Sequence, residues 1–257
     1  MKDPRARAKS VHVAMKHRPI YGGESEYGSS RGALILIGTV HGDPLGHVRA
    51  GKLLNHLRPD LVTVEISLFS LRYRLRQGPR WQRQLARGLA DMPPAAASHL
   101  AMQRLIAQVA LPFEVQAAGD YRRQSGVPWR PLDLGTPARR HLPRFAPELL
   151  SPGNLQALLT TANGSLEDYI AAEFHRARLA LARTPRRLFA LSDPETRRRE
   201  RVLARRLRRL AGRYQRVAHL GGWEHLVGWQ DSFSLWRGVA DLHPRRLLLD
   251  EADELLA

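Results

Sequence analysis

The chain has 257 residues, 43% of them apolar, no cysteine, and a net charge of +17. This length and apolar content suit one large folded domain or two small ones, so disorder is not the default reading, and the absence of cysteine excludes disulfides. The lack of cysteine also removes thiolate nucleophiles and Cys-ligated zinc.

All but four of the 41 basic residues are arginine, the lysines being Lys2, Lys9, Lys16 and Lys52. A GC-rich coding sequence produces that bias without any function attached. No aromatic-rich strand suited to base stacking accompanies it. Nucleic acid or another anionic surface is therefore a secondary expectation for a partner. No apolar segment follows the basic stretch from Met1 to His17, so it does not read as a secretory signal. No uncharged apolar run approaches about 18 residues, so no membrane span is expected. A cytoplasmic location is the plain expectation.

Residues 1–31 are basic and then rich in Gly, Ser and Glu, and read as a lead-in. Residues 32–257 read as a single α/β domain. Leu34-Ile35-Leu36-Ile37 is a continuous apolar run ending in Gly38, as in a strand buried on both faces. A helix starting near Asp43 or Pro44 would turn Val48, Leu53, Leu54 and Leu57 to the core and end at Arg58-Pro59-Asp60. Leu61 to Ile66 is rich in β-branched residues and reads as a second strand, making a parallel βαβ unit with the first.

Helices follow from Ser67 to Ala118, with Leu68, Leu71 and Leu75 spaced as one face and a break at Met92–Ser98. A helix from Glu114 to Gly126 precedes Val127–Asp133, a strand whose prolines keep it out of the sheet centre. Ser151–Ala182 reads as helices joined at Asn163-Gly164. Ser192-Asp193-Pro194-Glu195 opens a helix with Leu203, Leu207 and Leu210 on one face, closed near Gly212. Arg216–Gly221 and Arg246–Asp250 are further strands, with helix-like sequence from Leu226 to Trp236 between them. The expected fold is α/β, a central mostly parallel sheet flanked by helices, with a helical insertion between sheet strands.

Four polar residues fall at or just beyond strand ends: His41, Glu65, Asp133 and His225. Open parallel sheets bind ligands at the carboxyl ends of their strands. Two imidazoles with one or two carboxylates form a usual donor set for a catalytic divalent metal. A lone His in such a loop is more often a hydrogen-bonded structural residue. Context raises the pair above that: both lie in Gly-x-x-His after an apolar strand, as Gly38-Thr39-Val40-His41 and Gly222-Trp223-Glu224-His225. The glycines are expected to let the chain turn sharply so that each His points back over the sheet edge. His219 is an alternative ligand but lies within a strand, where a core role is expected. His47, His56, His99, His175 and His243 share no such context. Ser67 and Ser70 lie near Glu65, but no G-x-S-x-G elbow supports a Ser-His-Glu hydrolase.

The two GxxH motifs, with a glutamate ending the second strand, resemble the TraB/PrgY and Tiki group, with erythromycin esterase and the haem-binding ChaN proteins as more distant relatives of similar layout. The resemblance runs from about Ala33 to Asp250. Leu36–His41 resembles the first motif, Val64-Glu65 with Arg72-Tyr73 the glutamate-plus-arginine segment, and Gly126–Asp133 with Thr136 and Arg140 the middle segment. Glu200-Arg201-Val202-Leu203-Ala204 resembles the Glu-Arg helix motif, and Val217–His225 the second GxxH. Arg72 stands further from Glu65 than the family spacing, and no counterpart of the membrane helices of many TraB members is expected here. The resemblance implies a metal-dependent hydrolase, peptidase-like, with a peptide as substrate. By that reading His41, Glu65 and His225 would hold a divalent metal or would position water, with Asp133 as the further carboxylate that the strand ends offer to the metal. Glu65 would be a ligand or the general base. Arg201 would bind a carboxylate or stabilise an oxyanion, or stand as one more solvated charge on an Arg-rich helix. The alternative is a non-enzymatic binding or regulatory protein of the same fold that holds an anionic partner through that helix.

Overall fold

Seven residues of alternating facing, Ala33–Thr39, form strand β1, and every one after Ala33 is buried. Leu34 and Leu36 point to one face, Ile35 and Ile37 to the other. A strand this apolar on both sides is stable only inside a sheet covered by helices twice over. The computed structural model, which describes residues 33–183, 194–229 and 233–255 (backbone alone at 145 and 146), places it so. The expected lead-in at 1–31 and the opening Ser192-Asp193 lie outside the described residues.

The other strands are β2 (Leu61–Val64), β3 (Trp129–Pro131), β4 (Arg216–Gly222) and β5 (Arg245–Leu248). All pairings are parallel and the order is β3-β2-β4-β1-β5. The sheet is thus wholly parallel, and β3, with Pro128 just before it and Pro131 as its last residue, is an edge strand as its sequence requires. One expectation changes. β1 and β2 are parallel but not neighbours, because β4 inserts between them with Leu36 and Thr63 both in register with His219.

Helices α1 (Gly46–Leu57), α4 (Phe113–Ser125) and α7 (Leu166–Ala182) cover one face. Their Leu53, Leu54, Val115, Ala118 and Phe174 pack on Ile35, Ile37, Val62, Val64 and Leu220. Each such leucine, fully buried, stabilises the fold by roughly 1.5–3 kcal/mol. Helices α8 (Pro194–Ala211) and α9 (Leu235–Val239) cover the other face, with Leu203, Leu207, Leu210 and Leu235 against Leu34, Leu36, Leu61 and Val217.

The helical insertion comprises α2 (Leu68–Ala90), α3 (Leu100–Val109), α5 (Gly135–Leu149) and α6 (Pro152–Leu159). It has a small core of its own around Trp81, Leu85, Met102, Leu105 and Leu155. A short helix, α10 (Ala252–Leu255), follows β5.

Local departures from expectation have simple causes. Helix α1 begins at Gly46 rather than Asp43, because Asp43-Pro44 forms a turn in which Asp43 Oδ1 accepts the Leu45 N–H. That shift rotates Val48 outward, where it is 55% exposed, while Leu53, Leu54 and Leu57 stay buried. On α2 only Leu71 of the expected leucine face is buried. Leu68 and Leu75 are exposed, and the helix instead buries Trp81 and Leu85 in the insertion. The region 226–236 is not one helix: a 3-10 turn spans Trp223–Leu226, and α9 starts at Leu235.

Candidate functional site

The carboxyl ends of four of the five strands deliver polar groups to one cleft of about 1060 Å3. Thr39 and His41 come from β1, Glu65 from β2, Asp133 from β3, and Gly222 and His225 from β4. The four residues singled out from the sequence are therefore brought together, at the end of the sheet where α/β proteins place ligands.

The glycines of the two GxxH motifs work by close approach. Neither Gly38 nor Gly222 has a positive φ. A Cβ on Gly38 would stand 3.0 Å from Trp223 Cα and from Leu226 Cδ2. The missing side chain of the first motif is what lets the turn carrying the second motif's histidine cross above it. A Cβ on Gly222 would stand 3.4 Å from His41 Nε2 and 3.6 Å from Glu65 Oε2. The two motifs thus meet over a spot that only a glycine leaves open.

Glu65 is the hub. Its Oε1 pairs with His225 Nε2 at 2.8 Å and accepts from Arg199 Nη2, and its Oε2 accepts the Gly222 N–H at 2.7 Å. Burial alone would favour its neutral form. The imidazolium of His225 beside it, then Arg199 and His41, hold the carboxyl well below the usual range. His225 has a carboxylate on each ring nitrogen, because Nδ1 lies 2.7 Å from Glu200 Oε1. Both nitrogens must then carry hydrogen. Burial opposes that charge, but Glu65 and Glu200 outweigh it and raise the pKa to about 10. Glu200 is itself satisfied, its Oε2 accepting the Leu235 N–H at 2.6 Å at the start of α9.

Asp133 takes part through Arg199. The guanidinium forks onto it, Nε to Oδ1 at 2.7 Å and Nη2 to Oδ2 at 2.8 Å, while also reaching Glu65. Burial disfavours its charge, but the two carboxylates drive its pKa further upward. Arg201 goes elsewhere: it is exposed on the outer side of α8, its guanidinium 5.6 Å from the Phe233 ring centre. The arginine that enters the cleft is Arg199. The sequence held a clue to this. Glu200 lies three and seven residues before the buried Leu203 and Leu207, so it is the acid on the apolar face, and Arg199 flanks it four residues before Leu203.

His41 is the open group. Its Nδ1 lies 2.8 Å from Glu114 Oε1, which also accepts the Thr39 hydroxyl at 2.8 Å. Nε2 faces the cleft above Gly222. Glu114 sits in the first turn of α4, 3% exposed, where the helix N-terminus favours a carboxylate. It escaped the sequence reading because nothing in Phe113-Glu114-Val115 marks a glutamate 73 residues from the histidine it holds. The His41 side chain is 63% exposed, so water screens this pair more than the His225 pairs. Desolvation against the cleft wall opposes its charge, yet Glu114 and then Glu65 raise its pKa to about 9.

His219 is fully buried, beside Thr63 at 2.9 Å through Nδ1, and its Nε2 has no hydrogen-bond partner among the described residues. Burial keeps it neutral, its pKa lowered to about 4. Ser67 caps α2 by accepting the Ser70 N–H at 3.0 Å and gives its own proton to Ser70 Oγ, so neither serine faces a histidine base.

The donor set decides what the cleft can hold. Both His225 nitrogens and both oxygens of Glu65 and Asp133 are already engaged, the latter by Arg199 and the Leu134 N–H. Among the described residues no group of three or more His, Asp or Glu side chains has metal-binding geometry. Of the four residues singled out from the sequence, His41 alone keeps an unengaged donor atom, Nε2, while the unpartnered Nε2 of His219 is fully buried. The residues as arranged do not fit a divalent metal without rearrangement of these pairs. No described helix is long and apolar enough to cross a membrane. A scan of protein-family models, a search of curated proteins and a search of solved structures each found no match to this chain; the resemblance to the TraB/PrgY and Tiki group rests on its motifs alone.

Proposed function

We propose that the chain is a hydrolase of acyl compounds, amides or esters, in which His41 activates water. The observation that carries this reading is the convergence of His41 Nε2 and Glu65 Oε2 above Gly222, with Glu114 fixing the far side of the imidazole. A carboxylate on Nδ1 holds the ring in the tautomer that leaves the Nε2 lone pair toward the cleft. In the neutral form, His41 Nε2 takes a proton from water as the hydroxide oxygen bonds to the acyl carbon. The same proton then passes to the leaving nitrogen or oxygen as the tetrahedral intermediate collapses. Arg199 Nη1 makes none of the bonds to Glu65 and Asp133, so its N–H groups remain for the oxyanion. His225, locked between Glu65 and Glu200, positions Glu65 and does not itself touch the acyl group.

The test is hydrolysis of a panel of p-nitrophenyl esters and short peptides by the wild type and His41→Ala. Turnover by the wild type that vanishes in the variant is the expected result. Equal turnover, or none by either, would sink the reading.

The second reading keeps a divalent metal, also favoured by the pairing of His41 Nε2 with Glu65 Oε2 over one open spot. It requires His225 or Glu65 to release a present partner. Metal analysis of the purified wild type, His41→Ala and His225→Ala separates the two. Stoichiometric metal lost in both variants would favour the metal, and unchanged content would exclude it.

A further inference from the structure

A second cavity, of about 520 Å3, opens where the edge strand β3, the starts of α2 and α5, and the end of α8 come together. Five arginines line it: Arg130 from β3, Arg139 from α5, Arg206 and Arg209 from α8, and Arg213 just beyond. Asp133 is the only carboxylate in the lining, and both its oxygens already face Arg199. Among the described residues none of the five pairs with a carboxylate. Arg206 donates to the backbone carbonyls of Leu132 and Asp133, Arg130 to the Tyr214 hydroxyl, and Arg139 lies over the Phe69 ring.

Like charges three residues apart on a helix, such as Arg206 and Arg209, repel by a few tenths of a kcal/mol. Surface arginines on a chain of charge +17 are not remarkable singly. Here, however, two stretches distant in sequence, 130–139 and 206–213, bring five of them around one concavity whose one carboxylate, Asp133, is already engaged by Arg199. The arrangement is favourable once an anion sits among them. Guanidinium forks match phosphate oxygens two at a time. The volume lies within the usual range for small-molecule sites. Leu68, 48% exposed, with Phe69 and Leu132 adds an apolar wall for an organic body.

We infer that this cleft binds a small molecule carrying at least two linked phosphate groups, held by Arg209, Arg213, Arg130 and Arg139. The site adjoins the hydrolase cleft at Asp133, which lines both, but its occupancy stands or falls independently of that chemistry.

The test is calorimetric titration of the whole chain with inorganic pyrophosphate and with ADP. A control of equal charge change guards against non-specific attraction. Arg209→Glu/Arg213→Glu should weaken both ligands by at least about tenfold, since each lost charged hydrogen bond accounts for about that much. Arg83→Glu/Arg87→Glu, on the exposed side of α2, should leave them unchanged. Arg130→Gln/Arg139→Gln should weaken binding in the same direction. Saturable binding absent up to about 1 mM would overturn the site, that being the weak end of specific affinity. So would equal loss in the control, or affinity untouched by the Arg130/Arg139 change, which would mark a helix-surface effect and no cleft.

Discussion

The two clefts use the same side chain in opposite ways. In the first, Arg199 is inserted among carboxylates, and each charge has a geometric partner. In the second, Arg209 and Arg213 face a concavity in which neither pairs with a carboxylate among the described residues. Helix α8 serves both, and Asp133 joins them: its carboxylate faces Arg199, its carbonyl faces Arg206. What separates a structural arginine from a ligand-ready one is therefore position around the helix. Buried pairing makes a charge part of the fold, whereas unpaired exposure leaves it for a ligand.

The largest difference should appear on removing the charge. Arg199→Ala leaves Glu65 and Asp133 short of donors and should cost about 3 kcal/mol in urea unfolding. Arg209→Ala should stay within about 0.5 kcal/mol. Equal costs would erase the distinction.

Within the first cleft the two histidines extend the contrast between an open group and a closed one. His41→Ala should lower hydrolysis by about 10²- to 10⁴-fold with little change in melting temperature, as expected for a general base. Activity in the wild type should rise with pH as His41 loses its proton, levelling above about 9. An acid optimum would contradict that role.

His225 should show itself in stability. Its folded pKa, about 10, lies above the unfolded value of 6.5, so its contribution is fully present below pH 6.5 and is lost as pH rises toward 10. Glu65, lowered instead, contributes above pH 4.5, and that contribution is lost as pH falls. The melting-temperature gap between wild type and His225→Gln should be widest between pH 4.5 and 6.5 and close toward pH 10. A gap that widens with pH would refute the pairing. A small effect on stability is expected for Gly222→Ala. The added methyl would meet His41 and Glu65 at ordinary contact distance and so should alter stability by under about 1 kcal/mol. It occupies the spot proposed for water, so hydrolysis should fall far more than stability.

Much of this was readable from the chain. Apolar continuity marked β1 and β4, prolines marked β3 as an edge, and Leu203, Leu207 and Leu210 marked the inner face of α8. His41, Glu65, Asp133 and His225 were recognisable because strand ends are punctuated by glycine and by charge. The insertion of β4 between β1 and β2 was not, because its register is set by pairing across more than 150 residues. Helix α5 was missed because Pro143 and Pro147 look like breakers in one dimension. Glu114 needed the packing of α4 on α1 to reach His41. The choice of Arg199 over Arg201 turned on helical phase, which a motif match does not weigh.

One small contact ties the open histidine to a remote part of the chain. Arg49 donates through Nη1 to Asp43, two residues beyond His41, and through Nε and Nη2 to Asp253 on α10. Asp43 is 4% exposed and has its other oxygen on the Leu45 N–H. The loop that presents His41 is therefore moored, through a single guanidinium, to the short helix after β5. An alteration confined to α10, such as Asp253→Ala, would act on the cleft as a loosened mooring line acts on a boat: the fold would remain, and the histidine would drift.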